Sequence, residues 1–188
     1  ARRYESPDRP AFGRIGRVFL RIATQRPDME IVAINDLASA DTLAHLLKYD
    51  SIHRAFPGSV SSAENAIIVN GKNIPVYAAK DPLTLPWKQL NVDVVIESTG
   101  KFTSKVGADL HIVAGAKKVI ISAPPSDDVK TVVLGVNETI LSAEDPVISN
   151  ASCTTNNVAP MLKVIDDLWG VEDAYITTIH SYTNDQNI

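Results

Sequence analysis

Short, β-branched apolar runs recur along this chain with helix-patterned segments between them, and this rhythm restricts the fold more than any other feature. Residues 29–36, Met29-Glu-Ile-Val-Ala-Ile-Asn-Asp36, read as a buried strand that closes in polar residues. Residues 93–98, 118–122, 131–134 and 146–149 read the same way. Each is apolar on both faces, which suits a parallel sheet covered on both sides. Between them, residues 14–25 place Ile15, Val18, Phe19 and Ile22 at helical spacing, with Pro27 just past the end. Residues 41–49 carry Leu43, Leu46 and Leu47 on one helical face, and residues 104–114 form another helical pattern with Gly115 as its stop. Residues 66–77 predict a hairpin around Asn70-Gly71. The βαβ alternation predicts an α/β fold, a doubly wound parallel sheet.

Charge and composition narrow the function classes. With 18 Lys+Arg against 22 Asp+Glu, the net charge is −4, a poor balance for a protein whose main work is binding nucleic acid. No run of about 18 apolar residues exists to span a membrane. Residues 1–10 are polar and lack the apolar stretch of a signal peptide. The single cysteine makes no internal disulfide and excludes Cys-based zinc sites, so no metal is expected. A reducing, cytoplasmic setting is the simplest reading.

Ala11-Phe-Gly13-Arg-Ile-Gly16 approximates the glycine-rich turn that carries dinucleotide phosphates. Gly13 would let the backbone approach a pyrophosphate, and Gly16 would let the helix pack closely on its strand. The helix from Arg14 would turn its free N–H groups and positive end to the phosphates. Asp36 closes the next strand, where a carboxylate could accept from a ribose 2′-OH and repel a 2′-phosphate, favouring NAD over NADP. Ala11 stands in place of the first glycine, and residues 2–10 contain two prolines and no apolar run where a strand should precede the turn. On these residues alone, an ordinary helix-start turn with Asp36 as a solvated strand end is an equal alternative.

The stretch Ser149-Asn-Ala-Ser-Cys153-Thr-Thr-Asn-Asn157 joins a buried strand to an amphipathic helix over residues 154–168, with Val158, Met161, Leu162 and Ile165 on its apolar face. Cys153 therefore sits at or beside a helix N-terminus, where the dipole and free N–H groups favour the nucleophilic thiolate. The alternative is a buried structural cysteine, against which the surrounding Ser, Thr and Asn argue. Among the four histidines, His45 reads as packing or surface, His53 has no evident partner, and His111 falls mid-helix at its edge. His180 ends an apolar strand over residues 172–180 and enters a polar segment, a place from which a base can project. Spacing alone does not bring Cys153 and His180 together. That strand has no partner later in the sequence, so residues 151–188 are expected to begin a second, α+β domain that is truncated here. Residues 1–150 are expected to form the dinucleotide-binding domain, its first strand atypical or missing.

The Ser149–Asn156 stretch is similar to the active-site signature of the phosphorylating glyceraldehyde-3-phosphate dehydrogenases. Other segments match in the same order: Phe12-Gly-Arg-Ile-Gly-Arg17, Asn35-Asp-Leu37, Leu43-Ala-His-Leu-Leu-Lys-Tyr-Asp-Ser51, Glu97-Ser-Thr-Gly-Lys-Phe102, Gly115-Ala-Lys-Lys-Val-Ile-Ile-Ser-Ala-Pro124 and Thr177-Thr-Ile-His-Ser-Tyr182. The resemblance implies a Rossmann NAD-binding domain followed by a catalytic domain. It implies that Cys153 attacks the aldehyde to form a thiohemiacetal and that His180 is the base. Hydride transfer to NAD would leave a thioester, which inorganic phosphate resolves to an acyl phosphate. It places Gly13, Arg14 and Ile15 at the pyrophosphate, Asp36 at the ribose and Lys80 beside the adenine, where an arginine is usual. Ser98, Thr99, Gly100, Phe102, Ser122 and Ala123 would line the adenosine and nicotinamide ends, and Asn184 the nicotinamide side. Ser152 and Thr154 would hold the attacking phosphate, and Thr183 the phosphate of the substrate. Leu37 after Asp36 resembles the NAD-using glycolytic branch. A cytoplasmic homotetramer is implied for the whole protein.

Departures from the family pattern are Pro10 and Ala11 in place of asparagine and glycine, Asn157-Val158 in place of a Cys-Leu pair, and an end at Ile188 where the family continues. The expectation is therefore a partial chain, inactive or nearly so by itself. Three alternatives stay open: an erythrose-4-phosphate dehydrogenase, in which water resolves the thioester; a non-catalytic NAD-binding fragment; and a Cys/His hydrolase, which would have no use for the Asp36 and Ser98-Thr99-Gly100 matches.

Overall fold

A computed structural model describes residues 12–181. The chain opens with α1 (Arg14–Ala23), followed by β1 (Ile34–Asn35) and α2 (Ala40–Lys48). Three strands come next, β2 (Val60–Ala63), β3 (Ala66–Val69) and β4 (Lys72–Tyr77). Then come β5 (Val94–Glu97), α3 (Lys105–Val113), β6 (Lys118–Ile121), β7 (Val147–Ser149) and α4 (Cys153–Trp169).

Local chemistry explains most boundaries. The Ser39 hydroxyl accepts the Thr42 N–H at the start of α2, and the Ser104 hydroxyl accepts that of Gly107 at the start of α3. Each satisfies a donor that the helix cannot satisfy itself. The β3–β4 hairpin turns on Asn70 and Gly71, both with positive φ (52° and 82°), as a two-residue type I′ turn requires. Gly115 ends the α3 region at φ 111°, where a Cβ would stand 2.4–2.6 Å from Lys88 atoms.

The strands fall into two sheets. One is mixed, in the order β1-β4-β3-β2; the other is parallel, in the order β5-β6-β7. In the mixed sheet β1 runs parallel to β4, with Ile34 opposite Val76, while β2–β3 and β3–β4 are antiparallel. In the parallel sheet Glu97, Ile121 and Ser149 lie side by side at the carboxyl ends. The first sheet packs on α1 and α2 around Leu20, Leu43, Leu47, Ile67 and Ile74. The second packs around Ala108, Val119 and Ile121, each 0% exposed. Trp87, Leu85, Val92 and Ala116 form a third apolar cluster.

The structure corrects three expectations. The strand expected over residues 29–36 is reduced to Ile34–Asn35. Its physical reason is lateral: β1 pairs only with β4, and β5 only with β6, among the described residues. Among the described residues the strands therefore form two sheets, and residues 31–35 and 94–97 line a common cleft. A strand flanked on one side only lacks half its ladder. The segment before the glycine turn, where the sequence reading finds the first strand atypical or missing, lies outside the described residues. Residues 131–134 form no strand, only a bridge from Thr131 to Ser149. Residues 172–180 form no strand either. They have no neighbour to pair with among the described residues, and Tyr175 and Ile179 are wholly exposed.

Helix α4 has the expected pattern but buries no residue; Met161, Val164, Ile165, Leu168 and Trp169 all face solvent. No helix among the described residues is long and apolar enough to cross a membrane.

Candidate active site

Strand β7, a three-residue link and α4 together present the cysteine. Ser149 is 0% exposed; its hydroxyl donates to the Ala123 carbonyl (2.7 Å) and accepts from the Ala151 N–H (3.0 Å). Ala151 takes φ 58°, a left-handed conformation that costs a non-glycine residue about 1–2 kcal/mol. Ser152 then caps α4, its hydroxyl accepting the Thr155 N–H at 3.0 Å. The Asn156 side chain donates to the carbonyls of Asn150 (2.7 Å) and Ser152 (2.9 Å), clamping the link from the helix side. Cys153 is the first residue of α4 and is exposed.

The Cys153 Sγ lies 3.2 Å from the His180 Nε2. The other ring nitrogen of His180, Nδ1, donates to the Ser181 carbonyl at 2.6 Å, which leaves Nε2 facing the thiol. The hydrogen bond to His180 holds the Cys153 thiol below its ordinary range, with help from the Thr154 N–H and against the opposing effect of desolvation. The Ser181 carbonyl, and then Cys153, raise His180. Both shifts favour a thiolate beside an imidazolium. Ser152 and Thr154 stand beside the cysteine with their hydroxyls 3.1 Å apart. Thr183 and Asn184 lie outside the described residues.

The carboxyl ends of the parallel strands carry the other expected positions. Thr99 follows β5, and both its N–H (2.7 Å) and its hydroxyl donate to Glu97 Oε1. Gly100 has φ 70°. Ser122 follows β6 and donates its N–H to the Glu97 carbonyl at 2.9 Å. Asn150 follows β7 and donates its N–H to the Ile121 carbonyl at 2.9 Å. Ser98, Ser122 and the cysteine link thus share one sheet edge, where open α/β sheets bind their ligands. Phe102 meets His111 edge-on, with ring centroids 6.2 Å apart. His111 is 4% exposed, so it lies in the core and not at the helix edge.

Gly13 caps α1 without any side-chain hydrogen bond, and Arg14 and Ile15 are exposed on the first turn. An uncapped helix start with glycine at its head fits a pyrophosphate. Asp36 is 2% exposed, and its carboxylate accepts the N–H groups of Phe12 and Ala38, each at 2.8 Å. It is the pin that ties the glycine turn to β1, not a solvated strand end. Asn35 beside it clasps the Ala79 backbone in both directions, at 2.9 and 3.0 Å, and so places the exposed Lys80 near the end of β1.

The sequence reading missed Ser149, Asn156, Asn35 and Glu97 as working side chains. For Ser149, Asn35 and Glu97 the available signal was a polar residue closing an otherwise apolar strand; Asn156 lies in the first turn of α4.

By class, this is an α/β protein with a cysteine–histidine pair at the carboxyl end of its parallel sheet. Residues 11–105 match the family model for the NAD-binding domain of glyceraldehyde 3-phosphate dehydrogenase, and residues 152–188 match that for its C-terminal domain. The glyceraldehyde-3-phosphate dehydrogenase of Thermotoga maritima is 56% identical over 179 residues, covering 94% of this chain and 54% of its own. The enzyme of that name from Clostridium pasteurianum is 54% identical over 176 residues (94% and 53%). That of Geobacillus stearothermophilus is 53% identical over 181 residues (94% and 53%). The chain belongs to the glyceraldehyde-3-phosphate dehydrogenase family, and NAD is the cofactor of its first domain. It spans about half the length of the curated relatives it matches.

Proposed function

We propose that the protein, in its whole form, oxidises D-glyceraldehyde 3-phosphate to 1,3-bisphosphoglycerate with inorganic phosphate, through a thioester on Cys153. The observation that carries this is the thiol–imidazole pair, Cys153 Sγ to His180 Nε2 at 3.2 Å, at a helix N-terminus. His180 takes the thiol proton, and the thiolate attacks the aldehyde carbon. His180 then withdraws the proton of the resulting hydroxyl. NAD, when bound, supplies the hydride acceptor that converts the thiohemiacetal to the thioester. Gly13, Arg14 and Ile15 would hold its pyrophosphate, Asp36 its ribose, Lys80 its adenine side, and Ser98, Thr99, Gly100, Phe102, Ser122 and Ala123 its length; Asn184 would face the nicotinamide. Because Asp36 already accepts two backbone N–H groups, a ribose would use its remaining lone pairs.

Ser152 and Thr154 cluster hydroxyl donors beside the cysteine, as a site for the attacking phosphate needs, and Thr183 would hold the phosphate of the substrate. A thioester conserves the energy of oxidation that direct hydration would release, which is why phosphate can recover it as an acyl phosphate. The domain boundary falls near residue 150, where β7 hands over to α4. An exposed catalytic thiol favours a reducing compartment such as the cytoplasm. A homotetramer is the assembly we infer for the whole protein.

The test is NADH formation from the aldehyde, NAD and phosphate, with mass spectrometry of Cys153 when phosphate is withheld. We expect acylation of Cys153, abolished by Cys153→Ser and slowed about 10²- to 10⁴-fold by His180→Ala. Acylation or turnover that survives Cys153→Ser would refute the assignment.

A further inference from the structure

Three buried side chains outside the thiol–imidazole pair form a closed chain of donors and acceptors: Trp87, His111 and Glu97, exposed by 5%, 4% and 4%. An indole nitrogen only donates, so Trp87 Nε1 donates to His111 Nδ1, at 3.0 Å. That fixes the imidazole proton on Nε2, which donates to Glu97 Oε2 at 3.2 Å. The other oxygen of Glu97 accepts both the N–H and the hydroxyl of Thr99. Rings confine the histidine: Trp87 stacks on it (6.3 Å, 24°) and Phe102 meets it edge-on (86°). Every donor points the same way, from the indole through the imidazole to the carboxylate, and the carboxylate grips the turn at residues 98–100.

We propose that Glu97 is the positioning residue of the cofactor cradle, holding the Ser98–Gly100 turn in its binding shape, and that Trp87 sets the tautomer of His111 so that Glu97 itself is held. The proposal deepens the NAD reading above and rests on it. It follows that a carboxylate is required at residue 97 and that an isosteric amide is not equivalent. In Glu97→Gln the amide oxygen can serve Thr99, but the amide nitrogen then opposes the His111 Nε2–H. The histidine cannot yield its proton to Nδ1, because the Trp87 N–H already occupies that side. Removing the far donor with Trp87→Phe releases the conflict: Nδ1 takes the proton and Nε2 accepts from the amide.

The experiment is calorimetric titration of NAD into four forms of the 188-residue chain: wild type, Glu97→Gln, Trp87→Phe and the double variant. We expect Glu97→Gln to weaken NAD binding about tenfold, the scale of one misdirected buried hydrogen bond. Trp87→Phe alone should change affinity little, whereas added to Glu97→Gln it should restore most of the loss. A role confined to packing predicts the opposite, two losses that accumulate. Wild-type binding that Glu97→Gln leaves unchanged, or a double variant weaker than Glu97→Gln, overturns the proposal while the NAD reading stands. A wild-type chain that binds no NAD defeats the NAD reading for this chain and the proposal with it. Should Glu97→Gln fail to fold, ¹⁵N spectra of wild-type His111 decide: a neutral ring protonated on Nε2 is required, and a proton on Nδ1, alone or in addition, overturns the proposal.

Discussion

Ser149→Ala tests how the core holds the reactive cysteine. The hydroxyl is fully buried and bonds twice, to the Ala123 carbonyl and from the Ala151 N–H. Alanine removes one atom, so the cavity is small and the cost lies in the unpaired groups. The Ala151 N–H sits in a residue only 5% exposed, and a buried polar group left without a partner costs about 1–3 kcal/mol. The Ala123 carbonyl is half-buried and regains part of its loss from water. A total near 2–4 kcal/mol follows, a large share of the 5–15 kcal/mol typical of a folded domain. Urea unfolding reads it as a midpoint lowered by about 1–2 M. The second consequence is local. Ala151 at φ 58° is held there against its own preference, and the lost bond frees it to relax. Cys153, two residues on, then leaves its 3.2 Å contact with His180. Iodoacetamide alkylation at neutral pH should slow accordingly. Adding Ala151→Gly should recover the alkylation rate, because glycine keeps the left-handed turn without penalty. An unfolding midpoint within about 0.3 M of wild type, with alkylation unchanged, would refute the reasoning.

Other perturbations separate cleanly. The His180 contact depresses the Cys153 pKa, so thiolate reactivity is present above that lowered value and fades as pH falls through it; His180→Ala should move the midpoint of the alkylation–pH curve upward, and no movement would show that the pair does not couple. Gly115→Ala should destabilise by about 3 kcal/mol or more, because its Cβ meets Lys88 atoms at 2.4–2.6 Å and its φ is unfavourable as well. Gly71→Ala, with positive φ but open space around it, should cost only about 1 kcal/mol, and equal losses at the two glycines in urea unfolding would contradict the steric account. The bare apolar side of α4, from Met161 to Trp169, should bind an environment-sensitive dye such as ANS, and Val164→Lys with Leu168→Lys should abolish most of the signal.

What the sequence revealed and what it hid divide along a physical line. Helices were legible because their signals are local: apolar spacing throughout, a serine cap on α2, α3 and α4, and a proline or glycine beyond the end of α1, α3 and α4. The Asn70-Gly71 hairpin was legible for the same reason, since both residues tolerate positive φ. The strand at residues 29–36 and the one at 172–180 were misjudged because a strand is not a local object. Its apolar pattern says only that it would be buried between neighbours; with those found among the described residues β1 keeps two residues and residues 172–180 none. The Cys153–His180 pair followed from the family resemblance but not from spacing, because the two lie 27 positions apart, across helix α4 and a segment without regular structure. His111 read as a helix-edge residue since nothing in its helix announces Trp87 and Glu97 as partners.

One rule nevertheless links the three loops of the site, and it is written in the sequence. Residues 29–36, β5 and β7 each close on a buried polar residue: Asp36, Glu97 and Ser149. Each side chain accepts the N–H of the residue two places on: Ala38 at 2.8 Å, Thr99 at 2.7 Å and Ala151 at 3.0 Å. Each also reaches across the fold, to the Phe12 N–H, His111 and the Ala123 carbonyl respectively. The first bond bends the chain out of the sheet, and the second anchors the bend to the core. A polar group so placed would be costly if unpaired, so it enforces one loop shape where an apolar residue would permit several. The three bends carry Leu37, the Thr99 turn and Cys153. The rigidity of the site is thus set at the strand ends, and substitutions there should disturb binding and thiol reactivity more than substitutions deeper in the same strands.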